Sequence, residues 1–170
     1  MKKKKRNVKN PNSAISYRNI KRKWRLNQNI RFVIREPVFD PRHFALYRRY
    51  QLARHTDNLA EITEQNYIDF LSSDWCDSWF VEFSLEGQLV GVAIVDVLID
   101  GLSAVYSFYD PDFDRHSLGT YAVLWQIEQA RQRHLAFVYL GYWIEDCRKM
   151  RYKNQFQPLQ IYKNQQWQIL

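Results

Sequence analysis

The sequence is poor in the residues that announce a covalent framework, a cofactor loop or a membrane span. Two cysteines, Cys76 and Cys147, stand among 170 residues. They give neither a disulfide framework nor metal-ligand spacing, so a reducing cytoplasm is the expected home. Only five glycines are present, and RHSLGT, the one helix start that could cradle a phosphate, carries a single one where such loops normally need more. No apolar run reaches the roughly 18–20 residues of a membrane span. The basic start, MKKKKRNVKNP, has no apolar stretch behind it, which excludes a secretory signal of the usual kind. No internal repeat is visible.

Acidic residues are missing from one part of the chain. Thirteen of the 25 Lys and Arg residues precede Glu36, and no Asp or Glu does. From Glu36 onward 12 basic residues face 18 acidic ones. A mildly acidic domain therefore carries a strongly basic N-terminal segment, suited to polyphosphate because neutralised phosphates release condensed counterions. Residues 1–14 are expected to be a flexible basic arm, and residues 15–170 one domain. Between residues 18 and 35 the charges alternate with Trp24, Leu26 and Ile30. This pattern favours nucleic-acid contact, with Lys21, Arg22 and Arg25 as candidate tRNA ligands.

What is abundant is core material: 46% of residues are apolar and 16% aromatic, enough for one folded domain. SYRNIKRKWRLN predicts a basic helix and IRFVI a short strand. Asp40-Pro41 predicts an N-cap and first helical position, with the helix running to Arg54. A further helix is expected from Thr63 to Ser72. WFVEFSL, QLVGVAIVDVL and LSAVYSFYD predict an antiparallel meander with a central apolar strand. SLGTYAVLWQIEQARQRH predicts a helix with Ser117 as N-cap, and Leu118, Tyr121, Ala122 and Trp125 as its core stripe. LAFVYLGYW predicts a strand parallel to the one before the helix, and LQIYKNQQWQIL a closing hairpin. This order predicts an α+β, GNAT-like acyltransferase fold, in which a mixed, mostly antiparallel sheet is flanked by helices. In such a fold two strands diverge and a helix N-terminus faces the gap.

Three stretches are more specific. VEFSLEGQLVGVAIVDVLIDGLSAVYSFYDPD, RHSLGTYAVLWQIEQAR and YLGYWIEDCRKMRYKNQFQPLQI closely resemble the C-terminal half of the aminoacyl-tRNA–protein transferases. The bacterial aspartate/glutamate leucyltransferases are the nearer branch, and the likeness runs from about residue 12 to residue 170. The resemblance implies transfer of a leucyl group from tRNA to the α-amine of proteins beginning with Asp or Glu, marking them for degradation in the cytoplasm. It also implies a further N-terminal region with a metal-binding or iron–sulfur cysteine cluster. This sequence starts after that region, and no metal or cofactor is expected from its own residues. The segment TDNLAEI replaces a glycine-rich stretch usual in relatives.

The chemistry needs an acceptor amine stripped of a proton, donors for the oxyanion, and a proton for the leaving ribose oxygen. Asp96, inside AIVDVL, and Asp110, at a strand exit, are the candidate bases, either of which is equally readable as structural. Tyr106 is a candidate oxyanion donor or a core tyrosine. Ser117, Leu118, Gly119 and Thr120 open the helix and would present N–H groups to the ester. Glu128 shares a face with Tyr121 and Trp125. The basic–aromatic run after the last buried strand offers Tyr142, Lys149, Tyr152 and Lys153 to the tRNA end. Arg148, with Arg54 as a second candidate beside His55, would read the acidic side chain of the acceptor. Two rival classes remain: an acetyl-CoA-dependent N-acetyltransferase of the same fold, and a non-catalytic tRNA-binding remnant.

Overall fold

In the computed structural model the described residues are 6–11, 21–54, 62–71 and 75–170. The elements are β1 (Arg6–Pro11), α1 (Lys21–Leu26), β2 (Arg31–Arg35), α2 (Pro41–Arg54), α3 (Glu64–Leu71), β3 (Ser78–Leu85), β4 (Gln88–Val97) and β5 (Gly101–Tyr109). A 3₁₀ helix (Pro111–His116), α4 (Leu118–Gln132), β6 (Phe137–Trp143), a second 3₁₀ helix (Arg148–Gln155), β7 (Gln160–Lys163) and β8 (Gln166–Ile169) follow. One eight-stranded sheet has the order β2-β3-β4-β5-β6-β1-β7-β8. Among the described strands only β5 and β6 run parallel, as their connection through α4 requires.

Local chemistry explains most boundaries. The Asp40 carboxylate accepts from the Arg42 N–H at 2.8 Å, capping α2, and the Thr63 hydroxyl accepts from Asn66 N–H to start α3. Glu86 and Gly87 both take positive φ between β3 and β4, as do Asn164 and Gln165 between β7 and β8. These are the twisted two-residue turns that tight hairpins favour. Two cores lie on opposite faces of the sheet. One packs α4 against Val81, Phe83, Val95, Leu102, Val138 and Trp143. The other packs α2 and α3 through Leu46 and Tyr67 against Phe80, Val92, Ile94 and Phe108.

Residues 6–11, expected within a flexible arm, form β1 instead. It pairs antiparallel with both β6 and β7. The reason is backbone demand: without it two strand edges would present unpaired N–H and C=O groups at the middle of the sheet. The rest of the expected arm, and His55, lie outside the described residues.

Two bulges decide which side chains face the cleft. Between Ile94/Val95 and their β5 partners the register slips, with Tyr106 opposite Ile94 and Ala104 opposite Val95. The slip exchanges the faces of β5. Leu102 and Ala104 lie on the α4 side, Tyr106 and Phe108 on the α2 side, and Tyr109 returns to the α4 side. In β6 a second slip falls at Gly141, whose φ of +71° suits glycine. Beyond it Trp143 is buried and Tyr142 is 58% exposed.

Candidate active site

β5 and β6 are paired only from Gly101↔Phe137 to Ser103↔Tyr139 and separate beyond. Near the far end of β5 lies a cavity of about 340 Å³. It is lined by Tyr50 and Arg54 of α2, Ser107 and Tyr109 of β5, Gly119 and Thr120 of α4, and Lys149 and Tyr152 of the second 3₁₀ helix. Among the described residues, the lining contains no carboxylate.

Arg54 dominates one wall. Its guanidinium lies 5.2 Å from the Tyr109 ring centre and 5.8 Å from that of Tyr50. Its carboxylate partner is Asp114 at 3.0 Å, whose side chain is 77% exposed. The three tyrosines have phenol pKa values raised by burial, so their hydroxyls remain donors across the neutral range. The Tyr109 ring rests on Gly119, where an added Cβ would come within 3.1 Å of its Cε1. Ser117 adopts φ +51° at the start of α4, and its hydroxyl makes no capping bond. The first turn of this 15-residue helix is thus not sealed by its own cap.

Lys23 reaches the same place. Its ammonium donates to Thr120 Oγ1 at 3.3 Å, and partial burial lowers its pKa. Trp24 packs on Tyr121 with ring centres 5.6 Å apart. Asn27 donates to the carbonyls of Lys23 and His116 and meets His116 Nδ1 at 3.0 Å. These contacts fix α1 across the N-terminal part of α4. Arg22 and Arg25 remain exposed on it, and Lys21 occupies its first position.

Of the residues expected from sequence, Arg54, Gly119, Thr120, Lys149 and Tyr152 converge on the cavity. Others do not. Asp96 lies opposite Ser103, near the paired end of β5, and accepts from Ser78 Oγ at 2.6 Å; it does not border the cavity. Asp110 is 1% exposed. Its carboxylate accepts from both Arg49 terminal nitrogens, at 2.9 and 3.0 Å, and from the Asp112 N–H. That carboxylate is a cap and ion-pair anchor, not a free base. Tyr106 is turned by the β5 bulge toward α2, where Gln51 donates to its hydroxyl at 3.2 Å. Leu118 is buried in the core, and Ser117 contributes its carbonyl to the Thr120 and Tyr121 N–H groups.

Tyr142 is carried outward by the Gly141 bulge, and Arg148 is exposed outside the lining. Lys153 points inward, donating to the Tyr142 carbonyl, and burial lowers its pKa to about 8. It braces the segment that carries Lys149 and Tyr152. Three residues lining the cavity were not expected from the sequence: Tyr50, Ser107 and Tyr109. The i, i+4 spacing of Tyr50 and Arg54 was an available signal, and so was the i, i+2 spacing of Ser107 and Tyr109.

Among the described residues one group has a metal-like donor set: Asp40, His43 and Glu82, with ligand atoms within 4.8 Å. Guanidinium groups already occupy its carboxylates. Arg42 bridges Asp40 and Glu82, Arg35 lies 3.5 Å from Glu82, and His43 Nε2 lies 2.9 Å from it. The Arg42 hydrogen bond holds Asp40 down to about 2. The arrangement is an ion-pair network joining α2 to β3.

The fold is similar to that of two solved structures. One is the C-terminal domain assigned to a lysylphosphatidylglycerol synthetase from Agrobacterium fabrum, with TM-score 0.56, 12% identity, and coverage of 81% of this chain and 46% of that one. The other is L-PGS from Bacillus licheniformis, with TM-score 0.54, 11% identity, and coverage of 81% and 44%. Identities this low speak to the fold alone, and the acyltransferase-type architecture expected from the element order is the one observed.

Sequence relatives carry more. The aspartate/glutamate leucyltransferase of Chromobacterium violaceum is 51% identical over 134 residues, covering 78% of this chain and 55% of that protein. Its namesake in Nitrosococcus oceani is 44% identical over 155 residues, covering 90% and 65%. That of Pseudomonas putida is 46% identical over 145 residues, covering 85% and 62%. The chain thus spans between 55 and 65% of the length of these relatives. Residues 42–163, which include α2, the meander, α4 and the cationic 3₁₀ segment, match the family described as arginine-tRNA-protein transferase, C terminus, and the chain belongs to that family.

Proposed function

We propose that this chain transfers an aminoacyl group, leucyl by likeness to its named relatives, from charged tRNA to the α-amine of proteins beginning with Asp or Glu. In the proposed pathway this marks them for degradation. The observation that carries the reading is the composition of the cavity: two cations, three tyrosines and no carboxylate.

In the reaction the acceptor amine attacks the ester carbonyl, a tetrahedral oxyanion forms, and the C–O bond to the ribose breaks with a proton passing to that oxygen. The uncapped first turn of α4 and the tyrosine hydroxyls supply donors for the oxyanion. Arg54 exchanges its exposed partner Asp114 for the acceptor's acidic side chain, which its planar fork grips through both oxygens. Lys149 and Lys23 flank the site where the RNA terminus would lie. A protein α-amine has a pKa of about 7.7–8.0, so a useful fraction is already neutral near pH 7.5. Positioning then replaces a dedicated carboxylate base.

The test is transfer of labelled leucine from leucyl-tRNA to peptides beginning with Asp, Glu or Ala, with arginyl-tRNA alongside. Transfer to the acidic peptides alone supports the reading. Salt-sensitive tRNA binding without transfer favours the RNA-binding remnant, and acetyl-CoA binding without tRNA binding favours an N-acetyltransferase.

A further inference from the structure

A second cavity, of about 300 Å³, lies between α1, β2 and the length of α4. Its walls are aromatic. Trp24, Phe32 and Trp125 contribute, with Phe32 edge-on to Trp125 at 5.2 Å. Gln28, Gln129 and Gln132 add amides that both donate and accept. Trp125 is 2% exposed, yet its indole N–H has no hydrogen-bond partner among the described residues. What Trp125 offers the cavity is therefore its ring and not its N–H. Ring faces beside mixed amides are the chemistry that takes a heteroaromatic base, stacking its face and bonding its edge.

The charge around this cavity matches a nucleic acid. Arg22 and Arg25 on α1 are exposed, within a segment that has no acidic residue. The single carboxylate in the lining, Glu128, is paired with Arg131 at 2.7 Å and accepts from Gln132 at 2.8 Å. Its negative charge is therefore met in place. The two cavities share α4: Thr120 borders the first and Tyr121 the second. A strand whose end occupies the first can lay a neighbouring base in the second without leaving the helix.

We propose that this second cavity binds one unpaired nucleobase of an RNA substrate, while the adjoining phosphates lie over Arg22 and Arg25. The inference rests on the RNA-dependent reading of the first cavity and adds a separate site to it.

The test uses an uncharged RNA hairpin with a four-nucleotide 3′ overhang, carrying 2-aminopurine at each overhang position in turn. One position should be quenched on binding. Phe32→Ala and Gln28→Ala alter exposed residues, and thermal melts verify their folding. Both should relieve that quenching, and Phe32→Ala should weaken affinity about tenfold, as expected for loss of one stacked base. The slope of log affinity against log salt should stay unchanged, because every phosphate keeps its cation. If the hairpin binds with its normal salt slope and quenching at every position is indifferent to both substitutions, the base-site proposal falls and the transferase reading stands. If the hairpin does not bind at all, both fall.

Discussion

In the proposed reaction, Arg54 is the residue on which acceptor choice turns. It lies over two tyrosine rings, and its only described carboxylate partner is held on the solvent side. Arg54→Lys keeps the charge and loses the fork. It should cut kcat/KM for an Asp-first peptide roughly tenfold or more, leaving an Asn-first peptide nearly unaffected, so that the ratio of the two is the quantity to measure. Because no carboxylate lines the cavity, the rate should climb with pH through about 7.7–8.0, following the acceptor's amine. A peptide whose α-amine pKa is displaced should move the profile with it. Lys153 makes a different prediction. Its folded pKa of about 8 lies below the ordinary 10.5, so between those values the unfolded chain binds more protons. Stability therefore rises with pH above about 8, by up to about 2 kcal/mol over 1.5 pH units. The rise should vanish in Lys153→Met when melting is followed from pH 8 to 9.5. Lys149 and Tyr152 were legible as neighbours of the cleft because their basic–aromatic run stands at a strand exit. Lys153, in the same run, turns inward, and its neighbours alone gave no sign of that.

At the level of elements, the strands and helices were visible in the pattern of apolar runs and caps, but their phase was not. A bulge adds a residue to one strand and exchanges its faces, and no single-strand pattern reveals where the partner will slip. The β5 bulge sends Tyr106 toward α2 and leaves Tyr109 to the cavity. The β6 bulge at Gly141 buries Trp143 in place of Tyr142. Asp96 looked like a base because it was charged within an apolar run; the cross-strand bond from Ser78, 18 residues earlier, satisfies it. Gly141→Ala should cost about 1–2 kcal/mol in urea titrations, since a side chain there opposes the left-handed backbone. Asn27→Ala should cost about 1–3 kcal/mol by leaving the carbonyls of Lys23 and His116 without their donor.

Across the whole molecule, charge is separated along the chain, and the structure brings one basic element, α1, to the mildly acidic body. Replacing Lys21, Arg22, Lys23 and Arg25 together with Gln should lower the salt slope of tRNA binding by about 0.9 for each phosphate no longer neutralised. An unchanged slope would remove α1 from the RNA surface. No described helix is long and apolar enough to cross a membrane. The place of β1 reaches furthest. Val8 sits between Gly141 and Ile161, so among the described strands β7 and β8 join the remaining sheet only through a segment more than a hundred residues upstream. That seam cannot close until nearly all the intervening chain has been made and has packed. On the ribosome β1 must wait idle for strands not yet translated, and an isolated two-stranded ribbon has little standing until it arrives.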